Sequence, residues 1–157
     1  MRRAPHRCDT KGSGVEVVID IDGALAGDGP RVVALWDACG LTRPWNDAHA
    51  DFALALDAPA STILVARDGD AIVASVMTGF DGHRGWIYYL AVAPDARRGG
   101  HGRAMMAAAE QWLRARGAPK LQLMVRDDNE GALGFYAALG LERQKVITLG
   151  RFLKDDQ

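Results

Sequence analysis

Along "VEVVIDID" (15–22) the apolar residues Val15, Val17, Ile19 and Ile21 recur at every second position, which predicts a first strand. The period then lengthens. In "GDGPRVVALWDACG" (27–40), Val32, Leu35, Trp36 and Cys39 form one helical stripe, with Pro30 in the first turn and Gly40 as the stop. A second helix is expected over "NDAHADFALALDAP" (46–59), with Asn46 placed to cap it, Phe52 and Leu56 on one face and Pro59 past its end. Two β-branched runs flank "RDGD" in "STILVARDGDAIVASVMTGF" (61–80), the pattern of a hairpin in which Asp68-Gly69 supplies the positive φ angles.

The second half alternates element types. "GHRGWIYYLAVAP" (82–94) reads as a strand rich in aromatic and β-branched residues, and "RAMMAAAEQWLRARG" (103–117) as a helix with Met105, Ala108 or Ala109, Trp112 and Ala115 towards the core. "KLQLMVRDD" (120–128) is a buried-type strand. "NEGALGFYAALGL" (129–141) is a short helix with Asp127 and Glu130 at capping-box spacing and Gly140 past its end. "ERQKVITLGRFL" (142–153) is expected to be a last strand. The order β-α-α-β-β-β-α-β-α-β places strand–helix–strand units only in the second half, which predicts an α/β fold with a mixed sheet and helices on its faces.

Length and composition fit that picture. The 157 residues suit one compact domain, and 48% hydrophobic with 25% charged residues is the balance of a soluble globular chain. A formal net charge of −1 argues against a general nucleic-acid binder. Two cysteines, Cys8 and Cys39, lack metal-ligand spacing and set no disulfide framework, so no metal is expected and a reducing cytoplasm is the default compartment. Residues 1–14 carry basic charge without a following apolar core and read as a flexible extension before a single domain over 15–157. No apolar run approaches the ~20 residues that span a bilayer, so no membrane partner is expected.

The chemistry concentrates in "ARRGGHG" (96–102), between a strand and a helix. Gly99, Gly100 and Gly102 allow close approach to the backbone, the helix start offers N–H donors, and Arg97, Arg98 and Arg103 add charge. His101 lies among them. A P-loop is excluded because no glycine is followed by Lys-Ser or Lys-Thr, and the dinucleotide fingerprint fails because Met105 stands where its third glycine belongs. On its own the turn fits either a phosphate cradle or an ordinary connection.

Arg97-x-x-Gly100-x-Gly102 directly follows "YYLAV", and "DNEGALGFYAALGL" comes about 25 residues later. Together, over roughly Trp86 to Leu141, these resemble the acetyl-CoA-binding core of the GNAT superfamily of N-acetyltransferases; "LTRPW" and "HRGWIYYLAV" resemble a bacterial subgroup of small members. The resemblance implies an acyl-CoA N-acyltransferase-like fold with a mostly antiparallel sheet. It implies a strand splayed by a bulge, so that Leu90, Ala91 and Val92 bind the pantetheine arm and one of their N–H groups polarises the acetyl carbonyl. It assigns the pyrophosphate to the backbone of Arg97–Arg103, Asn129 to the CoA arm, and Tyr136, seven residues on, to the thioester sulfur. The implied reaction moves acetyl from acetyl-CoA to a primary amine of a small molecule or peptide by direct attack in a ternary complex, Tyr136 protonating the leaving thiolate. From reference values of about 10 and about 8.5 that transfer is roughly 2 kcal/mol uphill. Family members often carry a carboxylate base on the central strands, which "GWIYYLAV" lacks; Tyr89, His83 and Asp81 are the candidates beside it. Arg43, Trp45 and Asp47 are candidates to shape the acceptor pocket; a histone-tail or polyamine acceptor would favour an acidic groove, which requires Asp47, Asp51, Asp57 and Asp81 to converge. A CoA-binding module without turnover is the alternative, and a homodimer through apolar edges is possible.

Overall fold

A computed structural model describes residues 19–154. Residues 1–14 and the start of the first expected strand lie outside them. Elements run β1 (Asp20–Gly23), α1 (Gly29–Ala38), α2 (Ala48–Asp57), β2 (Ser61–Asp68), β3 (Ala71–Phe80), β4 (Gly85–Val92), α3 (His101–Ala115), β5 (Leu121–Leu123) and α4 (Glu130–Ala138). The described residues divide into two compact units at Met124/Val125.

In the first unit the strands form one sheet in chain order, β1 to β4 antiparallel and β5 parallel to β4. A mixed, mostly antiparallel sheet is therefore what the pattern builds. Ile63 and Val65 of β2 pack with Val32, Leu35 and Trp36 of α1 and with Phe52 and Ala55 of α2. The amphipathic α3 covers β3, β4 and β2 with buried Met105, Ala108, Ala109, Trp112 and Leu113. Both helical layers follow from the β-branched runs of β2 and β3, which are apolar on both faces.

Several local expectations shift. The hairpin loop is Gly69-Asp70, since Asp68 still pairs with Ala71; only Gly69 has positive φ (60°), as a Gly-first tight turn requires. Asp47 rather than Asn46 caps α2, its Oδ1 accepting from Ala50 N–H at 3.0 Å. Helix α3 begins at His101, two residues early, because Gly100 takes φ 80° and ends the turn. β5 stops at Leu123, well short of residue 128.

In the second unit Asn129, not Asp127, caps α4: its side-chain oxygen accepts from Ala132 N–H at 3.1 Å. Residues 142–153 form no strand, contrary to expectation. A strand is a pairing and not a sequence pattern. Here the apolar residues Val146, Ile147, Leu149, Phe152 and Leu153 remain 70–93% exposed.

One arginine, paired with two carboxylates, fixes the edge of the sheet. Arg67 Nη2 and Nη1 donate to Asp28 Oδ2 and Oδ1 at 2.6 and 3.2 Å, and its Nε donates to Asp22 at 3.1 Å. The Arg67 hydrogen bond holds the buried Asp28 carboxyl below the ordinary 3.8, against the opposing effect of burial. Arg67→Met strands that carboxylate and is expected to cost about 3 kcal/mol, the low end for a broken buried pair because Arg67 is partly solvated. The sign follows from the lowered value: the pair's stability is present above pH 3.8 and is lost as pH falls through the folded-state value. Urea midpoints of both proteins between pH 2 and 7 should converge at the acid end.

Candidate active site

β4 changes character after Ile87. Through Ile87 it has strands on both sides, β3 and β5; beyond it, β5 has ended, so residues 88–92 keep one edge without a ladder among the described residues. On the β3 side Met77 pairs with Tyr88 but Ser75 pairs with Ala91, so Tyr89 and Leu90 together oppose Val76. This is a bulge. It is centred on Tyr89, whose φ of 51° is unusual for a bulky residue and costs about 1–3 kcal/mol. Leu90 and Val92 are half-buried and Ala91 is buried.

The strand then enters a short 3-10 turn, Pro94–Ala96, and the glycine-rich segment. Left-handed backbone falls on Arg98 (φ 71°) and Gly100 (φ 80°), not on Gly99. Gly100 is the residue before α3, and no side chain caps the helix. The first-turn N–H groups of α3 therefore face outward with the positive end of the helix dipole. Arg97, Arg98, Gly99 and Arg103 are exposed, whereas Gly100, His101 and Gly102 are half-buried. His101 Nδ1 is shielded from solvent and has no hydrogen-bond partner among the described residues. Gly102 and Arg103 lie inside the helix instead of the turn. Cys39, at the end of α1, donates from Sγ to the Val92 carbonyl at 3.2 Å, and Arg97 Nη2 reaches the same sulfur at 4.0 Å. Leu90 to Arg103 is thus one continuous strand–turn–helix whose open backbone groups suit an extended ligand ending in an anion.

Asn129 and Tyr136 lie in the second unit. Asn129 is spent partly on the cap of α4, so it precedes the helix and does not share a helical face with Tyr136. Tyr136 is half-buried and meets Phe135 edge-on at 5.1 Å; burial pushes its phenol above the ordinary 10.0, so it holds its proton throughout the neutral range.

The base candidates separate. Asp81 accepts from the backbone N–H of Arg84 and His83 at 2.7 and 2.8 Å and from Trp86 Nε1 at 3.1 Å. Those bonds hold its carboxyl below the usual range and spend it on the β3–β4 turn. Burial first, then the hydrogen bond to Asp51, pushes Tyr89 well above the usual phenol range, so it is a proton donor. His83 is exposed on the same turn. Asp47 caps α2, and Arg43 Nη1 donates to the carbonyls of Gly40 and Thr42; both shape their loop and leave Trp45 57% exposed. Asp47, Asp51 and Asp81 each serve a separate contact, with Ala50, with Tyr89 and with the β3–β4 turn. The contact between Asp51 and Tyr89 joins residues 38 apart and leaves little trace in the sequence pattern. A lone carboxylate within the apolar run "DFALAL" was the available signal.

Among the described residues no cluster of His, Cys, Asp and Glu stands together as a metal site, and no helix is long and apolar enough to cross a membrane. The acetyltransferase (GNAT) family matches residues 32–141. Over 130 residues the chain is 47% identical to an acetyltransferase of Yersinia enterocolitica, spanning 83% of this chain and 92% of that protein. A putative acetyltransferase from Agrobacterium tumefaciens shares the fold with a TM-score of 0.72 at 23% identity, over 85% of this chain and 100% of that one. AAC(6')-Iy, solved with the bisubstrate analogue CoA-S-monomethyl-acetylneamine, gives 0.75 at 16% identity over 87% and 99%. The strand–turn–helix from Leu90 to Arg103 sits inside the matched span, and the chain belongs to the GNAT family of N-acetyltransferases, which use acetyl-CoA.

Proposed function

We propose that the chain transfers acetyl from acetyl-CoA to a primary amine of a small molecule or peptide, by direct attack while both substrates are bound to a single domain spanning residues 15–157. The open edge of β4 after Ile87, joined to an uncapped α3, carries this reading. In it Leu90, Ala91 and Val92 hold the pantetheine arm as an added strand. Backbone from Arg97 through Gly99, Gly100, His101 and Gly102 to Arg103 holds the pyrophosphate. An N–H of the Leu90–Val92 segment polarises the acetyl carbonyl. Asn129 contacts the CoA arm through the part of its carboxamide not used by the cap. Tyr136 hydrogen-bonds the departing sulfur and gives it a proton; burial makes that transfer less favourable than for a solvated tyrosine, so its contribution lies in the hydrogen bond formed as charge develops.

Calorimetric titration with acetyl-CoA and with free CoA tests the reading. Arg97→Ala/Arg98→Ala is expected to weaken both affinities about 10- to 100-fold, the worth of one or two charge-assisted phosphate contacts, with the loss largest at low salt. Absence of heat with either ligand, and absence of competition between them, would reject it. With binding established, turnover on a panel of amines distinguishes an enzyme from a CoA-binding module.

A further inference from the structure

The bulge in β4 is built on a tyrosine where backbone geometry favours glycine, asparagine or aspartate. Something must hold it. The Tyr89 ring lies flat on the indole of Trp36, centroids 3.9 Å apart and planes 9° from parallel. Its hydroxyl donates to Asp51 Oδ2 at 2.6 Å, a short bond to a carboxyl oxygen. Trp36 is itself fixed, because Nε1 donates to Ser75 Oγ at 3.0 Å between two fully buried residues. Ser75 is the residue that pairs with Ala91, the first position after the bulge. Helices α1 and α2 and strands β3 and β4 thus contribute one member each to a closed set of contacts.

We infer that Asp51, Tyr89 and Trp36 form a clamp that holds β4 bulged in the free protein, making Asp51 and Tyr89 positioning residues for the acyl-CoA strand. The reason is geometric. If Tyr89 relaxed to an extended φ, the strand would regain register opposite Val76 and the ring would leave both Trp36 and Asp51. Bulge and side-chain contacts therefore stand or fall together. The bulge, in turn, sets which way the backbone groups of Leu90 and Ala91 are presented. A ligand that adds as a strand to Leu90–Val92 meets a site already shaped and spends none of its affinity on shaping it. Asp51 is well suited to the task because it rides on α2, whose own cap at Asp47 and buried Phe52 fix its height over the sheet.

The inference deepens the proposed function and rests on it, so its test carries a readout that needs no ligand. Asp51→Asn, Tyr89→Phe and the double variant are compared in the full chain by amide hydrogen exchange and amide chemical shifts at Tyr89–Ala91, by thermal melting, and by acetyl-CoA titration. A clamp predicts that both singles perturb those amides in the free protein and raise the acetyl-CoA Kd about tenfold, and that the double variant does no more than either single, since the two changes remove one contact. Unchanged amides at Leu90 and Ala91 with wild-type Kd overturn the clamp and leave the acetyl-CoA reading standing. A lowered melting temperature without those amide changes also overturns it, as that is merely structural support. If the wild-type protein binds neither acetyl-CoA nor CoA, the proposed function fails, the positioning role fails with it, and the amide data still decide whether the bulge is clamped.

Discussion

Tyr136→Phe is expected to lower kcat by about 10²- to 10³-fold while the KM for acetyl-CoA stays within about threefold of wild type. Removing only the hydroxyl leaves the ring and its edge-on contact with Phe135 intact, so binding should survive. In the proposed role what is lost is an interaction that strengthens as the sulfur acquires charge, and such losses appear in kcat. The pH profile supplies an independent check. A tyrosine acting as donor must be protonated, so activity falls as pH rises through its value; because burial raises that value above 10.0, the alkaline limb should lie higher than for an ordinary phenol. Tyr136→Phe should abolish that limb. A kcat within a few-fold of wild type would show that water, or another group, protonates the thiolate.

How far such a site can be read beforehand depends on which contacts are local. Strand and helix identities came through because Val32, Leu35 and Trp36, or Ile63 and Val65, repeat at the period of their own element. The glycine stops at Gly40 and Gly140 are local too, each with positive φ. The strand–turn–helix from Leu90 to Arg103 was legible for the same reason, glycine and arginine being crowded into a few residues. Its finer geometry was not. Left-handed backbone went to Arg98 while Gly99 was spared, a choice made by the whole turn and not by residue type. The bulge was anticipated only through the family resemblance, since nothing in "YYLAV" marks Tyr89. Its stabilising partner lies 38 residues away on a helix whose pattern shows only that Asp51 interrupts an apolar run. Asn46 and Asp47 are equally good capping types, and only the reach to Ala50 chooses between them. The segment 142–153 failed for the opposite reason: its residues favour a strand, but a strand exists only where another chain segment accepts its hydrogen bonds.

Trp36→Ala should be the most destabilising single change in the first unit, costing about 3–5 kcal/mol and lowering Tm by roughly 6–20 °C. Trp36 has no exposed surface, packs among Val32, Phe52, Ile63 and Val65, and is the largest fully buried side chain. Truncation opens a cavity between α1, α2 and the sheet, and strands the Ser75 hydroxyl that its Nε1 now meets. It also removes the surface on which Tyr89 lies. Trp36→Phe separates these effects. Phenylalanine keeps much of the volume and a face for Tyr89, but it cannot donate to Ser75, so its cost should be nearer 1–3 kcal/mol. If packing alone matters, acetyl-CoA affinity at a temperature well below both melts should be the same in the two variants. If the indole is the floor of the clamp, Trp36→Ala should bind acetyl-CoA more weakly than Trp36→Phe even when both are fully folded, because only the alanine variant lets Tyr89 leave its left-handed conformation. One core residue would then serve stability and ligand geometry together, through the same ring.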